Sequence, residues 1–216
     1  MSEQCILYVD GYNFYYSIKK HPASTPLHLG WCDFGVLAKT FMLPSGSELK
    51  AIKYFTAPVG NYGEKGGPLG AESKRQDLWL RALETIPGLE IIRGYHTGNW
   101  GTARGRKEKE SDVNLAVHAV ADAARSRVDR AILLSGDRDQ QPTARMVALE
   151  FGKKVDVWLS PNHSQSSWAG TNLYSGVRVH SIKPYMLAKA RLADRIETAA
   201  GVIEAPRIWR DPRKPV

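Results

Sequence analysis

Strand-like and helix-like hydrophobic patterns alternate along almost the whole chain. Short apolar or alternating runs predict strands at 5–9, 49–57, 89–95, 131–134, 154–159 and 177–182. Apolar residues spaced three or four apart predict helices at 12–20, 33–41, 71–85, 111–125, 142–151 and 185–199. Because neighbouring parallel strands need crossover connections, this alternation predicts an α/β fold. Its sheet is mainly parallel, with about five or six strands and helices on both faces.

Details of this pattern give further expectations. Asp33 is placed to cap the helix at 33–41. In the helix at 111–125, an apolar stripe of Val113, Ala116, Val117 and Val120 is expected to face the core. Ser111 is a candidate cap for the same helix, and 96–109 is expected to be a long loop.

The length of 216 residues predicts one domain with a substantial core. We place this domain at 1–184, followed at 185–216 by a helical segment and a basic, proline-rich tail. The chain carries 30 Lys and Arg residues against 22 Asp and Glu residues. The resulting net charge of +8 favours a polyanionic partner such as nucleic acid. The pattern identifies no dimer interface, so a homodimer stays open.

The two cysteines and the lengths of the apolar runs predict a cytoplasmic protein. Cys5 and Cys32 lack zinc-site spacing and are expected to be reduced thiols in a cytoplasmic protein. No apolar run approaches the roughly 20 residues needed to span a bilayer, and the first residues lead directly into a strand rather than a signal sequence. We therefore expect no membrane association.

Acidic side chains collect where predicted strands end. Asp10 follows the strand 5–9, Asp137 and Asp139 follow the strand 131–134, and Asp112 opens the helix after the third strand. Residues just past the carboxyl ends of parallel strands line the ligand crevice of such sheets. Carboxylates this close repel one another unless a cation compensates them. Oxygen ligands suit one or two Mg²⁺ or Mn²⁺ ions acting on a phosphate-bearing substrate.

Each of these positions also suits a plainer role. Asp10 stands in an Asp-Gly pair, which is common in turns. The Asn13 amide can reach the same crevice as a substrate-binding group, but Asn13 also suits a cap or turn. Carboxylates at helix N-termini often do no more than cap them, although one cap needs only one of Asp137 and Asp139.

Three sequence blocks together resemble the NYN domains, which are PIN-like, metal-dependent ribonucleases. The blocks are Tyr-Val-Asp-Gly-Tyr-Asn at 8–13, Lys-Glu-Ser-Asp at 109–112 and Ser-Gly-Asp-Arg-Asp at 135–139, and the resemblance runs from about residue 4 to 182. It implies a three-layer α/β/α PIN-like (Rossmann-like) fold and hydrolysis of phosphodiester bonds by metal-activated water. The family's acidic residues fall on Asp10, Asp112, Asp137 and Asp139, its motif Asn on Asn13 and its motif Lys on Lys109.

The chain departs from the family pattern at three positions. His118 stands where the family often has a further Asp, Gln140 where an aromatic residue is usual, and Glu110 where Gly is common. His118 can face the site or pack within its helix, and the departures bear on substrate preference and activity.

The loop before Asp112 supplies candidates for substrate binding. Its cations are Arg104, Arg106, Lys107 and Lys109, with Trp100 upstream, and cations beside an aromatic residue suit single-stranded RNA. Glu108 and Glu110 also allow an ordinary solvated loop.

The leading hypothesis is therefore an endoribonuclease using Mg²⁺ or Mn²⁺ to cleave single-stranded or structured RNA. The alternative is a non-catalytic RNA-binding module on the same fold. A phosphatase is disfavoured, because Asp10-Gly-Tyr lacks the Asp-x-Asp that forms a phosphoaspartate in haloacid-dehalogenase-like enzymes.

Overall fold

A six-stranded parallel sheet forms the centre of the protein, in the spatial order β3-β2-β1-β6-β7-β8. The computed structural model describes residues 2–58, 70–97, 107–163, 168 and 175–212. The described strands are, in chain order, β1 Gln4–Asp10, β2 Glu48–Thr56, β3 Leu89–Arg93, β4 Tyr95–Thr97, β5 Lys107–Lys109, β6 Arg130–Leu134, β7 Lys154–Leu159, β8 Val177–Ser181, β9 Arg195–Thr198 and β10 Gly201–Glu204.

Helices follow the strands in the alternation that the sequence predicts. The described α-helices are α1 Gly11–Lys19, α2 Phe34–Leu37, α3 Ala71–Leu83, α4 Ser111–Ala124, α5 Gln141–Arg145 and α6 Pro184–Lys189. Helices α2 and α5 continue as π-helical turns at Ala38–Met42 and Met146–Glu150. Asp33 caps α2 as expected, since its Oδ1 accepts a hydrogen bond from the Val36 N–H at 2.9 Å.

Two separate cores show that the sheet lies between two helical layers. On one face, α1, α2, α3 and α6 pack around Leu7, Phe14 and Trp31. On the other, α4 and α5 pack around Tyr8 and Leu115. The central strands read as continuous apolar runs because both of their faces are buried. The predicted three-layer α/β/α architecture with a mainly parallel sheet is therefore confirmed.

The predicted apolar stripe of helix α4 faces the core only in part: Val120 is partly buried and packs against the second core, but Val113 and Val117 are exposed. Val113 and Val117 are 62% and 57% exposed, whereas Leu115, Ala119 and Ala123 are buried against the sheet. Both sets have helical spacing, so periodicity alone cannot separate them. The small side chains of the two alanines let the helix approach the sheet closely, and Val113 and Val117 are left outside.

The loop expected at 96–109 contains an antiparallel ribbon, in which β4 pairs with β5. Gly94, just before this ribbon, permits a close approach to helix α4. A Cβ atom at this position would lie 2.3 Å from the Lys109 carbonyl oxygen and 3.2 Å from the Ser111 nitrogen. The ribbon thus leads the chain directly into the Lys-Glu-Ser-Asp block.

The helix expected at 185–199 ends at Lys189, and the antiparallel pair β9 and β10 follows it. Gly201 has a φ of +121°, a left-handed value that glycine adopts without strain and that favours a turn at this point. Farther on, Trp209 is buried with its ring centroid 5.7 Å from that of Trp31 and 5.9 Å from that of Trp79. This C-terminal segment therefore contributes to the first core.

Both cysteines are buried free thiols, as expected. Among the described helices, none combines the length and apolar character required to cross a membrane.

Candidate functional site

Strands β1 and β6 meet at the point where the chain reverses its direction of travel across the sheet. Val9 pairs with Leu134, so the next residues, Asp10 and Ser135, lie side by side at the carboxyl edge. The Ser135 hydroxyl donates a hydrogen bond to Asp10 Oδ2 at 2.8 Å. Such a switch point is where open α/β sheets bind their ligands.

Asp10 is buried, with only 4% of its surface exposed. Its Oδ1 accepts a hydrogen bond from the Asn13 N–H at 2.9 Å, so the capping role is real. Burial, opposed by the two hydrogen bonds and reinforced by the negative charges of Asp112 and Asp137, raises the pKa of Asp10 to about 7. This carboxyl group therefore lies within the electrostatic reach of both other aspartates.

Asn13 ties helix α1 to two neighbouring strand ends. Its Oδ1 accepts hydrogen bonds from the Gly136 N–H at 2.8 Å and from the Ser160 hydroxyl at 3.0 Å. The side chain thus joins the segments that follow β1, β6 and β7, which is a more specific role than the cap or turn that the sequence also allowed.

Asp137 begins a 3₁₀ turn, Arg138–Gln140, and its Oδ1 accepts a hydrogen bond from the Asp139 N–H at 3.0 Å. The Ser135 hydroxyl oxygen accepts a hydrogen bond from the Asp137 N–H at 3.1 Å, so Ser135 connects Asp10 to Asp137. Asp137 is half-buried, and Asp139 is exposed.

Asp112 lies in the first turn of helix α4. Partial desolvation raises its pKa, and the charges of Asp137 and Asp139 raise it further. Ser111 does not cap this helix. Glu110 occupies the cap position without a side-chain bond, and the buried Ser111 hydroxyl has no hydrogen-bond partner within the described parts of the chain.

Gln140 fixes the start of helix α4 relative to the turn that carries Asp137. Its side-chain amide donates a hydrogen bond to the Asp112 carbonyl oxygen at 3.2 Å, and its Oε1 accepts one from the Thr143 hydroxyl at 3.0 Å. With 2% of its surface exposed, Gln140 is part of the support beneath the carboxylates.

An open crevice of about 470 Å³ collects Asp10, Asn13, Asp112 and Asp137. Asp139 lies outside this lining, in a shallower depression beside Arg138 and Arg145. Three of the four predicted carboxylates are thus brought to one crevice, and the fourth acts on Asp112 through its charge.

The predicted substrate-binding residues are only partly described. Trp100, Arg104 and Arg106 lie outside the described residues, and only the backbone of Lys107 is described, in strand β5. Lys109 is exposed at the end of that strand. Their role in substrate binding stays a prediction.

Sequence reasoning missed several residues of the crevice. Tyr12, Tyr16 and Lys20 line it from helix α1, and His163 lines it from the segment after β7. The His163 ring lies against Gly136, where a Cβ atom would come within 2.3 Å of its Cδ2. Its buried Nδ1 has no hydrogen-bond partner in the described portion of the chain. The spacing of Tyr12, Tyr16 and Lys20 along one helix face was the available signal.

His118, by contrast, packs between α4 and the sheet. Its ring meets the Phe55 ring edge-on at 5.5 Å between centroids, and its Nδ1 lies 3.4 Å from Lys53 Nζ. It is absent from the lining of the crevice.

The donor chemistry of the crevice suits a hard divalent cation. Its candidate ligands are carboxylate oxygens. Burial and, after it, the repulsion between these carboxylates raise the pKa of Asp10 and Asp112, and a cation would relieve the repulsion. Among the described residues, no group of three or more His, Cys, Asp or Glu side chains is already arranged so that it could hold a metal ion.

The chain is similar to a characterised protein and to a solved structure. The 6-hydroxy-3-succinoylpyridine 3-monooxygenase HspA of Pseudomonas putida is 28% identical over 205 residues, which cover 77% of this chain and 62% of that protein. The chain thus spans less than two thirds of this relative, whose name describes that protein alone. A crystal structure of a Vibrio parahaemolyticus protein of unknown function shares the fold, with 21% identity and a TM-score of 0.56 over 84% of this chain and 94% of the other.

The sequence profile of the NYN domain matches residues 5–172. This match spans β1 to the region after β7 and includes all of the carboxylates described above, in agreement with the resemblance of the three sequence blocks. The chain therefore belongs to the NYN domain family.

Proposed function

We propose that this protein is a metal-dependent endoribonuclease that acts in the cytoplasm on single-stranded or structured RNA. The observation that carries the proposal is the convergence of Asp10, Asp112 and Asp137 on one crevice at the β1/β6 switch point. The membership of the NYN family and the net charge of +8 support RNA as the substrate.

The three crevice carboxylates would hold one or two Mg²⁺ or Mn²⁺ ions, with Asp139 assisting directly or through water. When bound, such an ion lowers the pKa of a water molecule and offsets the charge of the scissile phosphate. Ser135 and Asn13 hold the Asp10 carboxyl and the Gly136 backbone in place. Gln140 does the same for the backbone at Asp112.

The exposed cations around the crevice would bind the RNA backbone. Lys20 lines the crevice, and Lys109 precedes Asp112. Trp100, Arg104, Arg106 and Lys107 complete the proposed binding set. Arg104→Ala combined with Arg106→Ala should weaken RNA binding and flatten its dependence on salt, because each phosphate contact releases counterions.

The decisive experiment is cleavage of a 5′-labelled single-stranded RNA with Mn²⁺ or Mg²⁺, compared with EDTA and with Asp137→Asn. Asp77→Asn, an exposed carboxylate on α3, is the matched control. We expect cleavage by the parent and by Asp77→Asn only, together with a Mn²⁺-dependent rise in Tm that Asp137→Asn lacks. Salt-sensitive binding without cleavage would instead indicate an RNA-binding module on this fold. Equal cleavage by parent and Asp137→Asn would refute the proposal.

A further inference from the structure

A groove lined by aromatic side chains adjoins the carboxylate crevice, on the other side of helix α1. We call it the tyrosine groove and define it by Tyr12, Tyr15, Tyr16, Tyr54, Trp79 and Trp209. These residues come from α1, β2, α3 and the C-terminal segment. The chemistry proposed for the carboxylate crevice does not involve this groove.

The groove and the crevice share two side chains. Tyr12 and Tyr16 line both, so a ligand that leaves the crevice along α1 passes over their rings. The Tyr12 hydroxyl donates a hydrogen bond to the Ala57 carbonyl oxygen at 2.9 Å, which fixes this ring. The centroid of the Tyr16 ring lies 5.9 Å from that of Tyr12, and Tyr16 is 41% exposed. Tyr16 therefore presents a supported aromatic surface to solvent.

Cations surround these rings. Lys19 Nζ lies 5.4 Å from the Tyr15 ring centroid and 5.7 Å from that of Tyr16, and Lys20 Nζ lies 5.8 Å from the Tyr16 centroid. Arg75 lines the groove as well. Glu72 is the nearby carboxylate, 3.8 Å from both Lys19 and Arg75. Among the described residues that line the groove, the cations Lys19 and Arg75 outnumber the carboxylate Glu72, and Lys20 lies beside the Tyr16 ring. This edge of the groove is therefore positive, which suits a phosphate backbone.

The size of the groove limits what it can bind. Its volume is about 80 Å³, well below the roughly 300–1,000 Å³ of sites that enclose a complete small molecule. Gly11 packs closely against Tyr54 in the lining of the groove, because a Cβ atom at Gly11 would lie 2.5 Å from the Tyr54 ring. A shallow aromatic surface with a cationic rim accepts one flat ring at a time while the attached phosphates stay at the edge.

We propose that the tyrosine groove binds bases of single-stranded RNA beside the scissile phosphate, with Tyr16 as the stacking surface and Lys19, Lys20 and Arg75 contacting phosphates. This inference rests on the proposed function, because the groove is assigned to the same substrate as the crevice. Stacking tolerates any base, so the groove sets a preference for unpaired RNA rather than for a sequence.

The test compares two labelled chains by fluorescence anisotropy in EDTA, where no cleavage occurs: an oligouridylate, and a chain of equal length with abasic ribose at every position. Tyr16→Ala should bind the oligouridylate about tenfold more weakly than the parent does, and bind the abasic chain almost unchanged. Tyr16→Phe, which retains the ring, should match the parent. Tyr185→Ala removes a tyrosine that is 57% exposed elsewhere on the surface, and should also match the parent.

The outcomes separate this inference from the proposed function. Unchanged oligouridylate binding by Tyr16→Ala, or an equal loss for both chains, would overturn base stacking even if the parent cleaves RNA in a manner that depends on Asp137. A parent that neither binds nor cleaves RNA would overturn both proposals. If Tyr16→Ala lost affinity for the oligouridylate alone and the parent did not cleave RNA, the result would support base stacking in the groove and reject the nuclease activity.

Discussion

Ser135 donates a hydrogen bond to the carboxyl group of Asp10 at 2.8 Å, from the neighbouring strand of the sheet. The contact follows directly from the register, because Val9 pairs with Leu134 and the next residues lie side by side. It supplies one of the two described hydrogen bonds to a carboxyl group that is almost fully buried. The ionisation of Asp10 therefore couples the site to the stability of the fold.

Without divalent cations, the free energy of unfolding should decrease as the pH rises from about 4 to about 7. The pKa of Asp10 is about 7 in the folded protein and 3.8 as its ordinary value, so the folded state binds more protons in this window. The full effect is roughly 4 kcal/mol, from ~1.4 kcal/mol per pKa unit. The free energy of unfolding of Asp10→Asn should vary less with pH than that of the parent. Relative to the parent, this variant should therefore be more stable at pH 8 than at pH 4.

Urea denaturation in EDTA, followed at several pH values, measures this effect. Asp77→Asn is the control, because its carboxylate is exposed and its removal should leave the parent's pH dependence in place. An equal change of the free energy of unfolding with pH for the parent and for Asp10→Asn would contradict the prediction.

Gln140→Leu should decrease the free energy of unfolding by about 1–3 kcal/mol, because the Asp112 carbonyl oxygen loses the hydrogen bond that Gln140 donates and the buried Thr143 hydroxyl loses its bond to Gln140. The first turn of α4 should also exchange its amide hydrogens faster. Thr143→Val is the matched control, since it removes the hydroxyl and leaves the bond from Gln140 to Asp112. If both variants exchanged this turn equally fast, Gln140 would not be the group that positions Asp112.

Glu110→Gly should stabilise the protein by about 1 kcal/mol. Glu110 has a φ of +74°, and residues other than glycine are strained in this left-handed conformation because they carry a Cβ atom. Glu110→Ala removes the same carboxylate but retains the Cβ atom, so it isolates the backbone effect. Thermal denaturation of both variants makes the comparison, and identical Tm values would rule out the strain.

The opposite end of the sheet carries a charge network centred on Asp156. Burial raises the pKa of this residue, but His180, Arg178 and Arg130 outweigh burial and lower it to about 2. The pKa is thus below its ordinary value of 3.8, and the stabilisation is complete above pH 4 and lost as the pH falls towards 2.

Asp156→Asn should therefore cost about 3 kcal/mol at pH 7, since it leaves the buried Arg130 with fewer negative partners. Glu204→Gln is the control. It removes exposed ion pairs with Arg195 and Arg210, for which less than about 1 kcal/mol is expected. Guanidinium denaturation compares the two variants, and equal losses would show that the network is no stronger than a surface pair.

The sheet and its carboxylates were accessible to sequence reasoning because strand ends are marked by a change from apolar to acidic residues. Asp10 and Asp137 each follow such a run, and parallel pairing places them at one edge. The sequence gave no comparable signal for the partners Ser135 and Ser160. Their hydrogen bonds to Asp10 and Asn13 depend on strand register and on contacts between segments far apart in the chain.

Other features depend on packing rather than on pattern. The core face of α4 is set by how closely Ala119 and Ala123 fit the sheet, and hydrophobicity ranked the exposed Val113 above them. The tyrosine groove brings Tyr16 and Trp209, residues far apart along the chain, to the lining of one surface. The strands β9 and β10 replace a predicted helix because local spacing did not distinguish the two.

The pairing of β1 with β6 also affects how the protein acquires its site during folding. Asp10 and Ser135 are 125 residues apart in the sequence, and nearly all of the intervening chain must be arranged before they meet. Contacts of such long range form slowly, because the entropy of closing the loop opposes them. Refolding should therefore restore helical circular dichroism before it restores binding of divalent cations. We therefore expect the crevice to form late in folding, and the proposed cation binding would report how much of the chain has reached its native topology.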